Sequence, residues 1–365
     1  MQDILKHYLG ENMDKSIRPQ DDFFSYVNGG WIKNTEIPAD QVKWGAFYIL
    51  AEENKEKLRT ILEDSETDNK LRDVYNSFMD EEKIESLGTA PLAQIFDKIN
   101  SLSDAKSLTE FLALAEKRGV DTPFGFTVMQ DDKKSDEVII TFFQSGLGLP
   151  DRDYYFKDDA EFEKIRNQYK IHVNNMLELA GVENAQAKAE GIYEFEKKLA
   201  QVSMTKVDAR DIDKVYNKKT IGEIKALAPN IDWDLYWQSL NVPNISDTTE
   251  VLIYQPDVLH FTSNEFANTS IDIWKDYFTF HTLSAYAGYL PKKYVEESFR
   301  FYGKELSGAK EIKPRWKRAV NTVEGTLGYL LGEYFVKKYY GYSLIFLLFY
   351  SSCICRNIPT TSSLE

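Results

Sequence analysis

Cysteine and histidine are scarce in this chain of 365 residues. The two cysteines, Cys353 and Cys355, are separated by a single residue near the end of the chain, and that spacing is poor for a disulfide bond. The fold is therefore predicted not to depend on disulfides. The four histidines lie far apart in the sequence, at His7, His172, His260 and His281. No two of them have the spacing of the His-Glu-x-x-His motif, in which one helix presents two zinc ligands.

Basic residues are outnumbered by acidic ones. Lys and Arg total 44 against 58 Asp and Glu, which gives a formal net charge of −14. So acidic a surface disfavours nucleic-acid binding, because that binding needs clustered cationic charge. Long apolar runs are missing too, since the run at residues 344–350 is well short of the ~20 residues of a membrane-spanning helix. The sequence therefore predicts neither a nucleic-acid partner nor a transmembrane segment.

Aromatic residues, by contrast, are abundant, with 22 Tyr, 22 Phe and 6 Trp. Between Arg18 and Leu62 they recur at helical spacing on two segments. Asp21 or Asp22 is suited to cap the first predicted helix, and Asp40 the second. The second helix has an apolar stripe formed by Trp44, Phe47, Tyr48, Ala51, Leu58, Ile61 and Leu62. The spacing predicts a pair of core helices without catalytic chemistry.

Helical periodicity dominates the rest of the chain, so the predicted fold is mainly α. One small β-hairpin is predicted at about Phe124–Phe143, where two β-prone runs flank a charged loop. Gly146 and Gly148 follow, without the third glycine of a dinucleotide-binding loop or the lysine of a P-loop. We predict a tight turn there that brings Asp151 and Arg152 to a structural ion pair.

Four blocks of sequence are distinctive. They are the aromatic stretch at 18–62, Tyr75-Asn76-Ser77-Phe78-Met79-Asp80, the segment from Ser145 to Tyr155, and Pro314-Arg315-Trp316-Lys317-Arg318. Together they closely resemble the neprilysin family of zinc metallopeptidases, in its bacterial oligopeptidase form. The resemblance continues to about Tyr340 and then stops. The near-absence of cysteine points to a bacterial-type member, because animal relatives in this family look disulfide-rich.

The resemblance implies a division of the chain. Residues 1–64 are expected to form a helical segment that packs against a catalytic lobe, and residues 65–340 a large multi-helix lobe. The thermolysin-like catalytic lobe itself is expected to be absent, because the resemblance ends before the zinc motif. Residues 341–365 match nothing in the family; we interpret them as an out-of-frame or artificially joined tail, with a divergent native C-terminus as the alternative.

The resemblance also implies a cofactor and one candidate site residue. Zinc is expected in the full-length parent and not in this chain, which offers no catalytic residues and in which His172 is predicted to be an ordinary helix-face residue. Some family members bind the C-terminal carboxylate of a peptide with two arginines on the helix after the Ile-Pro step. Aligned on Trp44–Phe47, these positions are Lys43 and Ala51 here. Lys43 is either a substrate contact that supplies a point charge or an ordinary solvated lysine.

The function that follows is that of the N-terminal, substrate-enclosing part of a zinc-dependent metalloendopeptidase acting on peptides. Its expected partners are peptides and the missing catalytic lobe. By itself the chain is expected to be inactive. Two alternatives remain, a non-catalytic peptide-binding helical module and a truncated product without independent function. A bacterial protein of this kind is either extracytoplasmic, with its signal removed, or cytoplasmic, because residues 1–14 do not form a secretory signal.

Overall fold

The computed structural model of the chain describes residues 10–340, so His7 and the predicted tail at 341–365 lie outside the described residues. The described part is mainly helical, as predicted from the sequence. It divides into two compact units. The first unit contains the described residues up to Met79 and from Ser307 onward, and the second is Asp80–Leu306. The lobe boundaries expected at residues 64–65 and 340–341 stay a prediction.

The helices are numbered here in chain order. They include α1 (Phe23–Asn34), α2 (Ala46–Leu62), α3 (Asn69–Met79), α4 (Glu81–Leu87), α5 (Ala93–Asn100), α6 (Ala105–Arg118), α7 (Asp153–Phe156), α8 (Ala160–Leu179), α9 (Ala185–Val202), α10 (Ile212–Val215), α11 (Ile221–Leu227), α12 (Trp233–Leu240), α13 (Pro256–Asn268), α14 (Ile271–Tyr286), α15 (Lys292–Ser298) and α16 (Arg315–Tyr339). A π-helix at Phe299–Leu306 directly follows α15. Within residues 10–340, no helix is both long and apolar enough to cross a lipid bilayer.

In the first unit, α3 and the second half of α2 pack against α16. The buried side chains that form this core are Leu58, Ile61, Leu62, Leu71, Tyr75, Phe78, Ala319, Val320, Val323 and Leu331. Leu71, Tyr75 and Phe78 recur at the i, i+4, i+7 spacing that places them on one face of α3. Asp22 caps α1 by accepting a hydrogen bond from the backbone N–H of Ser25 at 2.9 Å, as the sequence predicted.

The second unit contains the larger core, and here the aromatic residues are buried as expected. Trp233, Trp274 and Tyr277 are each at most 1% exposed. Trp274 stacks on Phe278 with ring centroids 5.4 Å apart and contacts the edge of Phe195 at 4.8 Å. Such packing buries large apolar areas on α9 and α14, which stabilises the folded second unit.

The predicted hairpin is present as strands β1 (Phe124–Asp131) and β2 (Lys134–Gln144), which pair antiparallel. It belongs to a larger sheet of four strands in the order β1-β2-β4-β3, where β3 is Asn217–Thr220 and β4 is Glu250–Ile253. Strand β4 runs parallel to β2, with Ile140 opposite Val251. Pairing with β4 therefore joins the hairpin to a segment that is distant in sequence, as the pair Ile140 and Val251 shows.

Candidate functional site

Lys43, the predicted substrate contact, lies in the irregular segment between α1 and α2. The residue was expected on a helix, but α2 begins only at Ala46, with Gly45 at its N-cap. The side chain of Lys43 is exposed, and no ion pair or hydrogen bond joins its ammonium to another residue of the described chain. A charged ligand therefore has access to it, and its role in substrate binding stays a prediction.

An ion-pair cluster fixes the segment before α2 onto α16. The ammonium of Lys317 lies 3.0 Å from the carboxylate of Asp40 and 2.5 Å from that of Glu52. Burial of Glu52 opposes its ionisation, but hydrogen bonds from Lys317 and Lys55 outweigh that effect and lower its pKa. The expectation that Asp40 caps α2 is thus wrong, because its carboxylate is an ion-pair partner instead.

Apolar side chains are exposed on three helices of the first unit. Phe47 of α2 is 86% exposed, Phe23 and Phe24 of α1 are 67% and 65% exposed, and Tyr329 of α16 is fully exposed. The sequence predicted both α1 and α2 as core helices. That prediction is wrong for α1, in which Gly29 is the one buried residue, and for the first half of α2, where Phe47 and Tyr48 are exposed. We refer to Phe23, Phe24, Phe47 and Tyr329 as the exposed aromatic set. Large aromatic side chains are frequent where a protein surface binds another protein segment.

The helix α16 is irregular where it presents Tyr329. Leu327 has non-helical backbone angles (φ −129°, ψ 29°), which kink the helix at this point. Around it, Gly325, Gly328 and Gly332 have open space where a Cβ would be. A helix with small residues and a free face allows a close approach of a neighbouring backbone, which agrees with the exposure of Tyr329.

A hollow of about 630 Å³ lies between α1 and the start of α2. Trp31, Ile49 and Leu50 supply its apolar side, whereas Asn28 and Glu53 supply polar atoms. Its volume falls within the range of roughly 300–1,000 Å³ that is usual for small-ligand sites. The first unit thus offers a mixed apolar and polar concavity close in sequence to Lys43.

In the second unit, a buried carboxylate holds the turn that the sequence singled out. Glu196 of α9 is fully buried and accepts hydrogen bonds from the hydroxyls of Tyr155 and Tyr169, each at 2.8 Å. The ring of His281 lies 2.9 Å from the same carboxylate. Burial, followed by the negative charge of Glu196, raises the pKa of Tyr155 and Tyr169 well above 10.0, so both phenols stay protonated donors. All these polar groups have partners within the core, so the arrangement is structural.

The turn itself is fitted closely to that network. Gly146 has a positive φ of 73°, and a Cβ at Gly148 would overlap the hydroxyl of Tyr169. The predicted structural role of this turn is confirmed in part. Asp151 does form an ion pair, but with Lys206 at 2.7 Å, whereas the guanidinium of Arg152 lies over the ring of Phe156 at 5.4 Å.

His172 is a buried histidine of α8 beside the π-helix. Its Nδ1 lies 2.9 Å from Glu297, and its ring stacks on Phe301 with centroids 5.1 Å apart. Burial is the main cause that lowers the pKa of His172, so the ring is neutral and its Nδ1–H donates to Glu297. Arg300 makes two hydrogen bonds to the same carboxylate, at 2.8 and 2.7 Å.

Neither buried histidine fits a zinc site. Zinc takes four ligands in structural sites and at least three from the protein in catalytic ones. His172 and His281 each meet a single carboxylate, and the carboxylate next to His172 is already bound by Arg300. In residues 10–340, no three His, Cys, Asp or Glu side chains lie close enough together to hold a metal ion. Residues 10–340 therefore do not offer the ligand set of a zinc site.

The chain matches known proteins over most of its length. The family model described as Peptidase family M13 matches residues 19–343. Endothelin-converting enzyme 1 of Bos taurus is 29% identical over 341 residues, which are 89% of this chain and 45% of the relative. The Cavia porcellus enzyme of the same name is 30% identical over 344 residues, again with 45% of its length covered.

Solved structures give the same picture. The zinc metalloprotease Zmp1 of Mycobacterium tuberculosis, determined in complex with an inhibitor, superposes with a TM-score of 0.84 and 32% identity, over 92% of this chain and 52% of that one. PepO of Lactobacillus rhamnosis shares the fold, with a TM-score of 0.77 at 20% identity. The chain spans about half the length of the relatives it matches.

Proposed function

Because this chain belongs to peptidase family M13, we propose that it is the N-terminal, substrate-enclosing part of a zinc-dependent metalloendopeptidase that hydrolyses peptides. The observation that carries the proposal is that the match covers nearly all of this chain but only about half of each relative. Nearly all of this chain matches Zmp1, yet the match covers 52% of Zmp1. The remaining half of such an enzyme supplies what this sequence lacks, namely a His-Glu-x-x-His helix that binds zinc and activates water.

The surface expected to contact a catalytic lobe is the exposed aromatic set. Phe47 and Tyr329 expose nearly all of their side-chain area in the first unit. Large aromatic side chains are frequent in the centre of protein–protein interfaces. This supports the expectation that the first helices pack against another lobe.

The chain by itself is proposed to be inactive, and a peptidase assay tests this. The purified 365-residue chain is mixed with zinc and a broad set of internally quenched peptides. We expect no hydrolysis above the buffer rate. Hydrolysis that requires zinc and stops with a chelator would overturn the proposal.

A chimera tests the positive half of the proposal. Residues 19–340 of this chain replace the matching half of Zmp1, which retains its own remaining half. We expect zinc-dependent peptide hydrolysis, and we expect Phe47→Asp to reduce it at least about tenfold, because a charge would be buried at the contact between the halves. The matched control is Val128→Asp, at an exposed apolar position of the second unit. A chimera that folds and binds zinc without hydrolysing peptides contradicts the proposal.

Lys43 is proposed to bind the C-terminal carboxylate of the peptide. In the active chimera, Lys43→Ala is expected to raise KM for peptides with a free C-terminal carboxylate by a few-fold, the size of an exposed ion pair. For the same peptides with an amidated C-terminus, which have no carboxylate to bind, KM is expected to stay unchanged. Lys70→Ala, at another exposed lysine of the first unit, serves as the control. An equal change for free and amidated peptides would exclude this role.

A second candidate function is peptide binding without catalysis, and the hollow beside Trp31 is the observation that favours it. Titration calorimetry of the chain with a panel of short peptides tests it. Binding that Trp31→Ala weakens at least about tenfold would support this function, because an aromatic side chain in a ligand pocket contributes strongly. Uniformly absent heats would remove it.

A further inference from the structure

A small hollow lies in the second unit, where the end of α4, the start of α5 and the turn after α14 meet. Its volume is about 180 Å³. The apolar residues that form most of it are Ile84, Leu87, Leu92, Ile95, Tyr289 and Leu290. Leu92, Ile95 and Leu290 are buried and form its floor, whereas Leu87 and Tyr289 are 41% and 49% exposed at its rim. The hollow is therefore an apolar pocket that opens to solvent.

The volume of this hollow suits a single side chain. An apolar cavity of roughly 150 Å³ binds one benzene molecule, whereas pockets for whole small ligands begin near 300 Å³. The hollow, at about 180 Å³, therefore accommodates one aromatic or branched aliphatic group. A larger ligand has to leave the rest of its structure in solvent beyond the rim.

Arg118 gives the hollow its electrostatic character. It is the last residue of α6 and the one charged residue among those that line the hollow. The backbone at this point is fixed, because the hydroxyl of Tyr286 donates to the carbonyl of Arg118 at 2.7 Å and Gly119 ends the helix with a φ of 64°. The side chain is exposed, and within residues 10–340 its guanidinium has no hydrogen-bond or ion-pair partner.

Other arginines of the same unit differ from Arg118 in this respect. Arg300 binds the carboxylate of Glu297 with two nitrogens, and Arg166 donates to the backbone carbonyls of Tyr154 and Lys157. A guanidinium presents a planar pair of donors that matches a carboxylate, so an unpaired one beside an apolar pocket complements a ligand that carries both groups.

We propose that this pocket binds the C-terminal residue of a peptide, with its bulky apolar side chain against Leu92, Ile95 and Leu290 and its free carboxylate on Arg118. The α-carbon of such a residue bears both groups, and the preceding chain leaves the pocket over its open rim. This binding needs no catalytic group. The inference is independent of the proposed peptidase function, since its residues all lie within the second unit.

Fluorescence anisotropy tests the inference with the 365-residue chain and a chelator present, so that hydrolysis does not contribute. The probe is a fluorescein-labelled hexapeptide ending in phenylalanine with a free carboxylate. We expect saturable binding, and an affinity at least about tenfold lower for the C-terminally amidated peptide, because a charge-assisted bidentate contact is lost. A peptide that ends in glycine is expected to bind as weakly as the amidated peptide, because it has no apolar side chain for the pocket. N-acetylphenylalanine, which carries the same two groups without the peptide, is expected to compete.

Variants locate the binding. Arg118→Gln is expected to weaken the free-carboxylate peptide at least about tenfold and to leave the amidated peptide unchanged. Arg118→Lys keeps the charge without the planar donors, so its affinity for the free-carboxylate peptide is expected to lie between those of the parent chain and Arg118→Gln. The control is Arg210→Gln, at another exposed arginine of the second unit. Equal binding of free and amidated peptides, or unchanged binding by Arg118→Gln, would overturn the inference, as would absence of binding.

Discussion

Glu196 illustrates how one residue organises the second unit. Its buried carboxylate accepts hydrogen bonds from Tyr155 and Tyr169 and contacts the ring of His281. We expect Glu196→Ala to lower the free energy of unfolding by about 3 kcal/mol or more, because three buried polar groups lose their partner. Urea unfolding followed by tryptophan fluorescence measures this. Glu194→Ala, at an exposed position of the same helix, is the control, and an equal effect of both variants would contradict the prediction.

His172 makes the stability of the fold depend on pH. Burial lowers its pKa below 6.5, so between its folded pKa and 6.5 the unfolded chain binds more protons than the folded chain. The free energy of unfolding therefore decreases as the pH falls below about 6.5. Burial of Glu297 opposes its ionisation, but hydrogen bonds from His172 and Arg300 outweigh it and lower its pKa from 4.5 to about 2. The stability that Glu297 contributes is thus lost only in the lower window, from pH 4.5 down to about 2.

A variant distinguishes the pH range in which His172 affects stability from the lower range in which Glu297 does. His172→Gln keeps a donor for Glu297 but removes the titrating ring, so we expect the decrease in stability between pH 6.5 and 4.5, above the Glu297 window, to become smaller. His260→Gln, at an exposed histidine, is the control for the substitution itself. Urea midpoints at half-unit pH steps provide the measurement. An unchanged pH profile in His172→Gln would show that other groups cause it.

Residue contacts over long sequence distances were beyond sequence reasoning. The Gly146–Gly148 turn was predicted from composition, and so was an ion pair of Asp151. Its partner, Lys206, was not identified, because a side chain fifty-five residues later leaves no periodic signal. Arg118 has no distinguishing sequence signal either, since arginine is common at a helix end, and only the surrounding pocket sets it apart.

At the scale of elements, α2 combines two environments within one apolar stripe. Leu58, Ile61 and Leu62 are at most 8% exposed, whereas Phe47 is 86% exposed. We expect Ile61→Ala to cost about 2–5 kcal/mol of the free energy of unfolding and Phe47→Ala less than about 0.5 kcal/mol. Chemical unfolding of both variants measures the difference. Comparable losses would mean that the first half of α2 is core, as the stripe alone suggested.

The periodicity of α2 could not reveal that division, because a stripe that faces a partner looks the same in sequence as one that faces the core. The sheet shows a related limit. The hairpin was predicted because its two strands are neighbours in sequence and alternate in pattern. Strand β3, with two lysines in Asn217–Thr220, has no such pattern and is held by pairing with β4. The π-helix at Phe299–Leu306 was not predicted either, because no sequence pattern distinguishes it from an α-helix.

For the whole molecule, family membership was readable from gapless blocks of sequence, and the mainly helical fold follows from helical periodicity and was confirmed. What the sequence did not provide is the surface that remains exposed. The exposed aromatic set depends on which faces of α1, α2 and α16 have partners within the chain, and that is a property of the assembled unit rather than of any segment.

This surface predicts the behaviour of the purified chain in solution. Because Phe47 and Tyr329 expose large apolar areas, we expect the chain to associate reversibly as its concentration rises, despite its net charge of −14. Static light scattering over a concentration series measures the average mass. The double variant Phe47→Ser and Tyr329→Ser is expected to shift association to at least about tenfold higher concentration, since each removes much of the apolar area available for contact. Val207→Ser, at a position 80% exposed in the second unit, is the matched control and is expected to associate like the parent chain. A parent chain that stays monomeric throughout, or a control that dissociates as readily as the double variant, would show that the exposed aromatic set is not an adhesive surface.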